Sequence, residues 1–184
     1  MASMSFTLPE TLERGELTLR RYTLEDAPAL MESIAANLEH LRPWMPWAQE
    51  PPTDESVAGF LVPSVEDFGG EAGSNYAITL TQGGRYVGGC GLMPRIGPAA
   101  LEIGYWIDAR HARRGYATTA AALLTEAGLA LDGIDRVEIH CDEANIASTA
   151  IPVRLGYRLD RIQDDGPVAP SETGREMIWI FERN

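Results

Sequence analysis

The chain of 184 residues contains no lysine; all fifteen of its basic residues are arginine. That absence excludes Schiff-base chemistry on a lysine amine and a phosphate loop built around a lysine. Cysteine is nearly absent too. Cys90 and Cys141 both sit in apolar, strand-like runs, where free buried thiols are expected and a disulfide is not. The three histidines, His40, His111 and His140, share no helical ligand spacing, and on a strand His140, Cys141 and Asp142 would point to alternate faces, so no metal site is expected. No apolar run reaches the roughly 18 residues of a membrane span. The first ten residues, Met1 to Glu10, have neither a basic leader nor an apolar core. The expectation is a cytoplasmic protein with no membrane contact.

What is present points to one folded domain over residues 1–184. A hydrophobic content of 45% argues against disorder, and a chain this long buries roughly two thirds of its unfolded surface without staples. The 27 acids against 15 arginines leave a formal charge of −12. Such a balance repels nucleic acid and favours cationic partners, whether it serves steering or only solubility. Any phosphate must then be held locally, by arginines and backbone amides working against the overall field.

Alternation from Glu16 to Arg20 predicts a first strand. Thr23 then caps a helix carrying Leu30, Ile34 and Leu38 at helical spacing. Asp54 begins a second helix that Pro63 is expected to kink or end. Tyr76 to Leu80 and Tyr86 to Met93 read as strands joined at Gln82-Gly83-Gly84. Leu101 to Ile107 follows as a strand, then an alanine-rich helix from Ala117 to Leu131 and a strand from Arg136 to Cys141. A short helix over about 147–155 meets Gly156, and strands Tyr157 to Ile162 and Glu176 to Phe181 close the chain. The fold class is α/β, a sandwich around one mixed sheet of about seven strands with about four helices.

The chemistry concentrates between Glu102 and Thr118. A strand that runs through a basic turn into a helix leaves unpaired N–H groups at the helix start, where donors and dipole attract phosphate. Gly115 and Ala117 admit close approach of a pyrophosphate, and Arg113 and Arg114 supply charge. A solvated basic loop capping an ordinary helix fits the same residues. Gly88-Gly89-Cys90-Gly91 matches no nucleotide-binding spacing and reads as a close-packed strand or bulge.

Here the sequence resembles the GNAT acetyltransferase superfamily, and within it the RimJ/RimL-like branch. The resemblance rests on three segments in order: Leu41-Arg42-Pro43-Trp44-Met45-Pro46-Trp47; Glu102 to Ile107 with Ala112 to Thr118; and Asn145-x-x-Ser148 followed by Arg154-Leu155-Gly156-Tyr157. Ala112 departs from the family's Gln or Arg, and Pro152 inside the last helix removes the N–H that would bond to the Ser148 carbonyl. The resemblance implies a V-shaped splay between the fourth and fifth predicted strands and acetyl-CoA as donor. It implies direct attack by a primary amine, of a protein N-terminus or of a small molecule such as a polyamine, aminoglycoside or amino-acid-like antibiotic. A non-catalytic acyl-CoA sensor and a homodimer are also compatible with it.

By the same resemblance, a backbone N–H near Trp106 or Ile107 faces the thioester carbonyl. Arg113, Arg114, Gly115, Tyr116, Ala117 and Thr118 hold the diphosphate, Asn145 holds the pantetheine, and Ser148, or else Tyr116, serves the leaving thiolate. Glu102 is the candidate proton acceptor, or else a surface carboxylate at a strand entrance. Trp44, Trp47 and Tyr105 stand on the acceptor side, the tryptophans as pocket wall or core cover, with Glu39, Glu50 and Asp54 as acids nearby.

Overall fold

Strand alternation sorts the residues onto two faces. Tyr76 and Ile78 pack into the main apolar cluster with Leu17, Leu19, Leu101 and Val137, whereas Ala77, between them, packs with Tyr22, Leu30, Val57 and Leu61 on the opposite side. The computed structural model describes residues 7–71 and 73–183. Its strands are β1 (Thr11–Arg14), β2 (Leu17–Arg21), β3 (Ser74–Leu80), β4 (Tyr86–Met93), β5 (Ala100–Ile107), β6 (Arg136–Asp142), β7 (Arg158–Asp164) and β8 (Arg175–Glu182). They form a single sheet in the order β1-β2-β3-β4-β5-β6-β8-β7. Every neighbouring pair is antiparallel except β5 with β6.

The eighth strand, against about seven expected, is β1. It is short and largely exposed, so no buried alternation marks it in the sequence, and it pairs back on β2 across Gly15 at φ 61°. The splay expected between the fourth and fifth predicted strands therefore falls between β5 and β6.

Helices cover both faces. α4 (Tyr116–Leu129) sets Ala120, Ala121 and Leu124 into the main cluster with no exposed surface, and α5 (Ile146–Leu155) packs beside it. On the other face lie α1 (Ala27–Ala36), the single turn α2 (Leu38–Leu41) and α3 (Asp54–Glu66).

Two expectations need correction here. The first predicted helix is not continuous through Leu38. It opens with a 3-10 turn at Leu24–Asp26 and breaks at Asn37, whose buried side chain donates to the Ser33 carbonyl at 2.8 Å and accepts from the Ala109 N–H at 2.7 Å. Nor does Pro63 end α3, which runs on to Glu66. Thr53 caps its start, accepting from the Ser56 N–H at 3.1 Å, and Val57, Leu61 and Ser64 bury one continuous face. That burial offsets the one helical hydrogen bond that the proline removes.

Candidate active site

Strands β5 and β6 pair at only three positions, Ala100 with Arg136, Leu101 with Val137 and Glu102 with Glu138. Beyond Glu102 the two strands separate, while β4 stays paired with β5 out to Ile107. The backbone of β5 from Ile103 to Ile107 thus loses its strand partner on the β6 side, and amides there are free to meet a ligand. A cleft of about 890 Å³ opens at this splay.

Period-2 alternation divides the lining. Leu101 and Ile103 point into the main core beside α4, and Tyr105 joins that side, where its hydroxyl lies 3.2 Å from the Ser148 hydroxyl and 3.4 Å from the Ser148 carbonyl. Asn145 does not leave its carbonyl oxygen free. It caps α5, accepting from the Ser148 N–H at 3.1 Å. Burial pushes the Tyr105 hydroxyl pKa well up, with the Ser148 bond pulling the other way, and burial likewise pushes the Cys141 thiol up to about 11. Both groups stay protonated at neutral pH.

On the opposite side Trp106 meets Trp47, ring centroids 6.0 Å apart and tilted, and Tyr86 at the same distance. Trp47 is 52% exposed and so is no cover for the core; it and Trp44 line the cleft. The Gly88 to Gly91 run lies inside β4 and keeps this wall close. A Cβ on Gly89 would fall 2.7 Å from the Tyr22 hydroxyl and 2.9 Å from the Trp106 indole nitrogen.

Glu102 lines the cleft but is buried, not a surface carboxylate, and both of its oxygens are engaged by the Arg95 guanidinium, one at 2.7 Å. Of the other acids expected nearby, Glu50 lines the cleft, whereas Glu39 and Asp54 do not.

The basic turn stands apart from the cleft, on the continuation of β5. Arg113 (φ 60°) and Gly115 (φ 81°) are both left-handed, which turns successive N–H groups toward one side. Gly115 caps α4 without a side chain, so the N–H groups of Tyr116, Ala117 and Thr118 have no acceptor within the helix. Arg113 and Arg114 are exposed, and Ala117 and Thr118 half-buried. Among the described residues, these present backbone donors and positive charge of the kind that a phosphate-bearing ligand accepts from. Tyr116, the other group named for the leaving thiolate, has its ring buried in the main core against His111 and is not among the residues that line the cleft.

Sequence reasoning missed what anchors this turn. Asp108 is fully buried. It accepts from the Arg110 backbone at 2.9 Å, from the Arg110 guanidinium at 2.6 Å and from the Ser33 hydroxyl at 3.2 Å. Burial works to raise its pKa, but the Arg110 side chain and backbone and Asn37 outweigh burial and hold it at about 2. It missed also a chain of polar groups on one face of β6 and β8, comprising Glu138, His140 and Glu176.

Residues 16–158 match the family model for the acetyltransferase (GNAT) domain. The chain belongs to the GNAT acetyltransferase family. This acetyltransferase is 29% identical over 161 residues to the Bacillus subtilis (strain 168) protein named "Putative ribosomal N-acetyltransferase YdaF", covering 82% of each chain. It is 27% identical over 162 residues to the "Uncharacterized N-acetyltransferase p20" of Bacillus licheniformis, covering 85% of this chain and 86% of that one. In fold the acetyltransferase is similar to the microcin C7 self-immunity acetyltransferase MccE, solved with acetyl-CoA and AMP, at TM-score 0.82, 22% identity and coverage of 92% and 94%. It is also similar to RimL, a ribosomal L7/L12 alpha-N-protein acetyltransferase solved with coenzyme A, at TM-score 0.80, 20% identity and coverage of 94% and 98%.

Proposed function

We propose that this acetyltransferase moves the acetyl group of acetyl-CoA onto the α-amine of a protein amino terminus. The observation that carries this reading is the charge and size of the cleft at the β5–β6 splay. It is lined by Glu50, Asp165, Glu172 and Glu176, while its one arginine, Arg95, is committed to Glu102. Such a wall suits a cationic amine, and a volume of about 890 Å³ is near the upper end of small-molecule sites, with room for a terminal residue and the chain behind it. The ribosomal acceptors in the names of YdaF and RimL support the same reading.

In this reading Arg113, Arg114 and the backbone amides from Gly115 to Thr118 bind the diphosphate, and an amide near Trp106 or Ile107 polarises the acetyl carbonyl, a contact worth about 3 kcal/mol. Asn145 orders the start of α5, which puts the Ser148 hydroxyl, backed by Tyr105, beside the leaving sulfur. Glu102 holds Arg95 at the floor of the cleft. An α-amine of pKa near 7.8 loses only about 1 kcal/mol on deprotonation at neutral pH, against about 5 for a lysine side chain, so little is asked of a base.

A second acceptor class has an observation of its own. The aromatic wall of Trp44, Trp47 and Trp106 fits a flat or apolar body, as a small amine-bearing antibiotic would present. An acceptor panel with acetyl-CoA and mass detection separates the two. Peptides beginning with Ala or Ser are expected to gain 42 Da at their first residue, and turnover confined to small amines would overturn the protein reading.

A further inference from the structure

Arg136, Glu138, His140 and Glu176 form a line of charged and polar side chains at the splay, of which the reading above uses only the charge of Glu176. Glu138 and His140 share one face of β6, and β8 lies beside it with Glu176 opposite Asp142 in register. Glu138 is 3% exposed; its carboxylate accepts from Arg136 at 2.6 Å and faces His140 Nε2 at 2.7 Å. A carboxylate can only accept, so Nε2 carries a proton, and in the neutral ring Nδ1 is then the nitrogen with the lone pair. Nδ1 lies 3.6 Å from Glu176 Oε1. The other oxygen of Glu176 accepts from Gln163 at 2.9 Å, which fixes the side chain and leaves Oε1 as the oxygen without a direct hydrogen bond. Both His140 and Glu176 line the cleft, together with Glu102, Tyr105 and Ser148.

We infer that Glu176 is the general base for the acceptor amine, and that His140, oriented by Glu138, is the positioning group that relays the proton away from it. The inference rests on the acetyltransferase reading of the cleft. The ammonium of the acceptor gives one proton to Glu176 Oε1, which passes it to His140 Nδ1 and on to solvent. The neutral amine nitrogen then forms a bond to the acetyl carbon as the carbon–sulfur bond breaks. The second proton of that nitrogen leaves with the thiolate, which departs as coenzyme A thiol, so one proton is released per turnover.

Glu102 cannot do this without breaking its two-oxygen pairing with Arg95, whereas Glu176 breaks nothing. Burial raises the pKa of Glu176, with the carboxylates of Asp165 and Glu102 adding to the effect and His140 and Gln163 opposing it. A base poised upward in this way is closer to neutrality than an ordinary glutamate. Arg95 on the β4–β5 side and Asp142 on β6 are the remaining charged groups around it; Asp142 is occupied by the N–H groups of Ala144, Thr173 and Gly174.

The test compares two nucleophiles in Glu176→Gln. With an α-amine acceptor, kcat/KM at pH 7 is expected to fall about 10²-fold and to recover partly as pH rises past the amine's own pKa. With a hydrazide acceptor, neutral at pH 7 and needing no base to become so, the loss is expected to stay within about threefold. Equal losses for both nucleophiles, with acetyl-CoA affinity intact, would overturn the assignment. Wild-type protein that turns over neither acceptor would instead count against the acetyltransferase reading. Independently of any acceptor, nitrogen-15 NMR of the wild-type protein is expected to find His140 protonated at Nε2; a neutral ring protonated at Nδ1 would overturn the relay.

Discussion

Ser148 owes its surroundings to a residue four positions on. Pro152 has no N–H, so the Ser148 carbonyl lacks its helical donor, and the Tyr105 hydroxyl stands near both that carbonyl and the Ser148 hydroxyl. The arrangement ties β5 to α5 at the splay and leaves the serine hydroxyl directed at the cleft. In Ser148→Ala, kcat is expected to fall about 10²-fold. Calorimetry is expected to find acetyl-CoA affinity unchanged, and an equal loss of affinity would make Ser148 a binding residue only. Ser148 and Asn145 were legible as a short motif. Tyr105 as the partner of Ser148 was not, because the contact joins residues 43 apart in sequence. Glu176 was illegible for a related reason: nothing local distinguishes it from Glu182 on the same closing strand.

At the scale of elements, the start of α4 depends on backbone conformation more than on side chains. Gly115 at φ 81° has nothing within 4 Å of where a Cβ would sit, so alanine there is opposed by backbone strain alone. That strain is on the order of 1 kcal/mol. Gly115→Ala is therefore expected to weaken coenzyme A binding roughly fivefold by calorimetry, with the cleft and its acceptor preference unchanged. Undiminished affinity would mean that the diphosphate is held elsewhere. The glycine and its arginines could be read from the sequence, as could the alanine-rich helix. The break in the first helix at Asn37 could not, because its cause is the Ala109 amide that Asn37 meets across the fold. The run of α3 through Pro63 was hidden as well, since the burial that sustains it is tertiary.

For the whole molecule, four buried carboxylates predict the acid limit of stability. Burial works to raise Asp26, Asp108, Asp142 and Glu138, and hydrogen bonds outweigh it in each case, holding all four below their ordinary values. A group depressed in the folded state stabilises it above the unfolded pKa and loses that contribution as pH falls through the folded one. For Asp108 the window runs from 3.8 down to about 2, a difference worth about 2 kcal/mol. Urea midpoints are expected to hold from pH 7 to about 5 and to fall steeply between about pH 4 and 2, with Asp108→Asn flattening the lower part. A flat profile in the mutant and the wild type alike would remove Asp108 from the account. The sequence by itself determined the α/β class and the basic strand-to-helix turn, and by family resemblance the Asn145–Ser148 pair, because periodicity and motif spacing act over a few residues. Only the tertiary structure decided how β8 inserts between β6 and β7, and with it which acid faces His140. Strand pairing of that kind is set by burial and hydrogen bonding between segments far apart in the chain, and no local pattern encodes it.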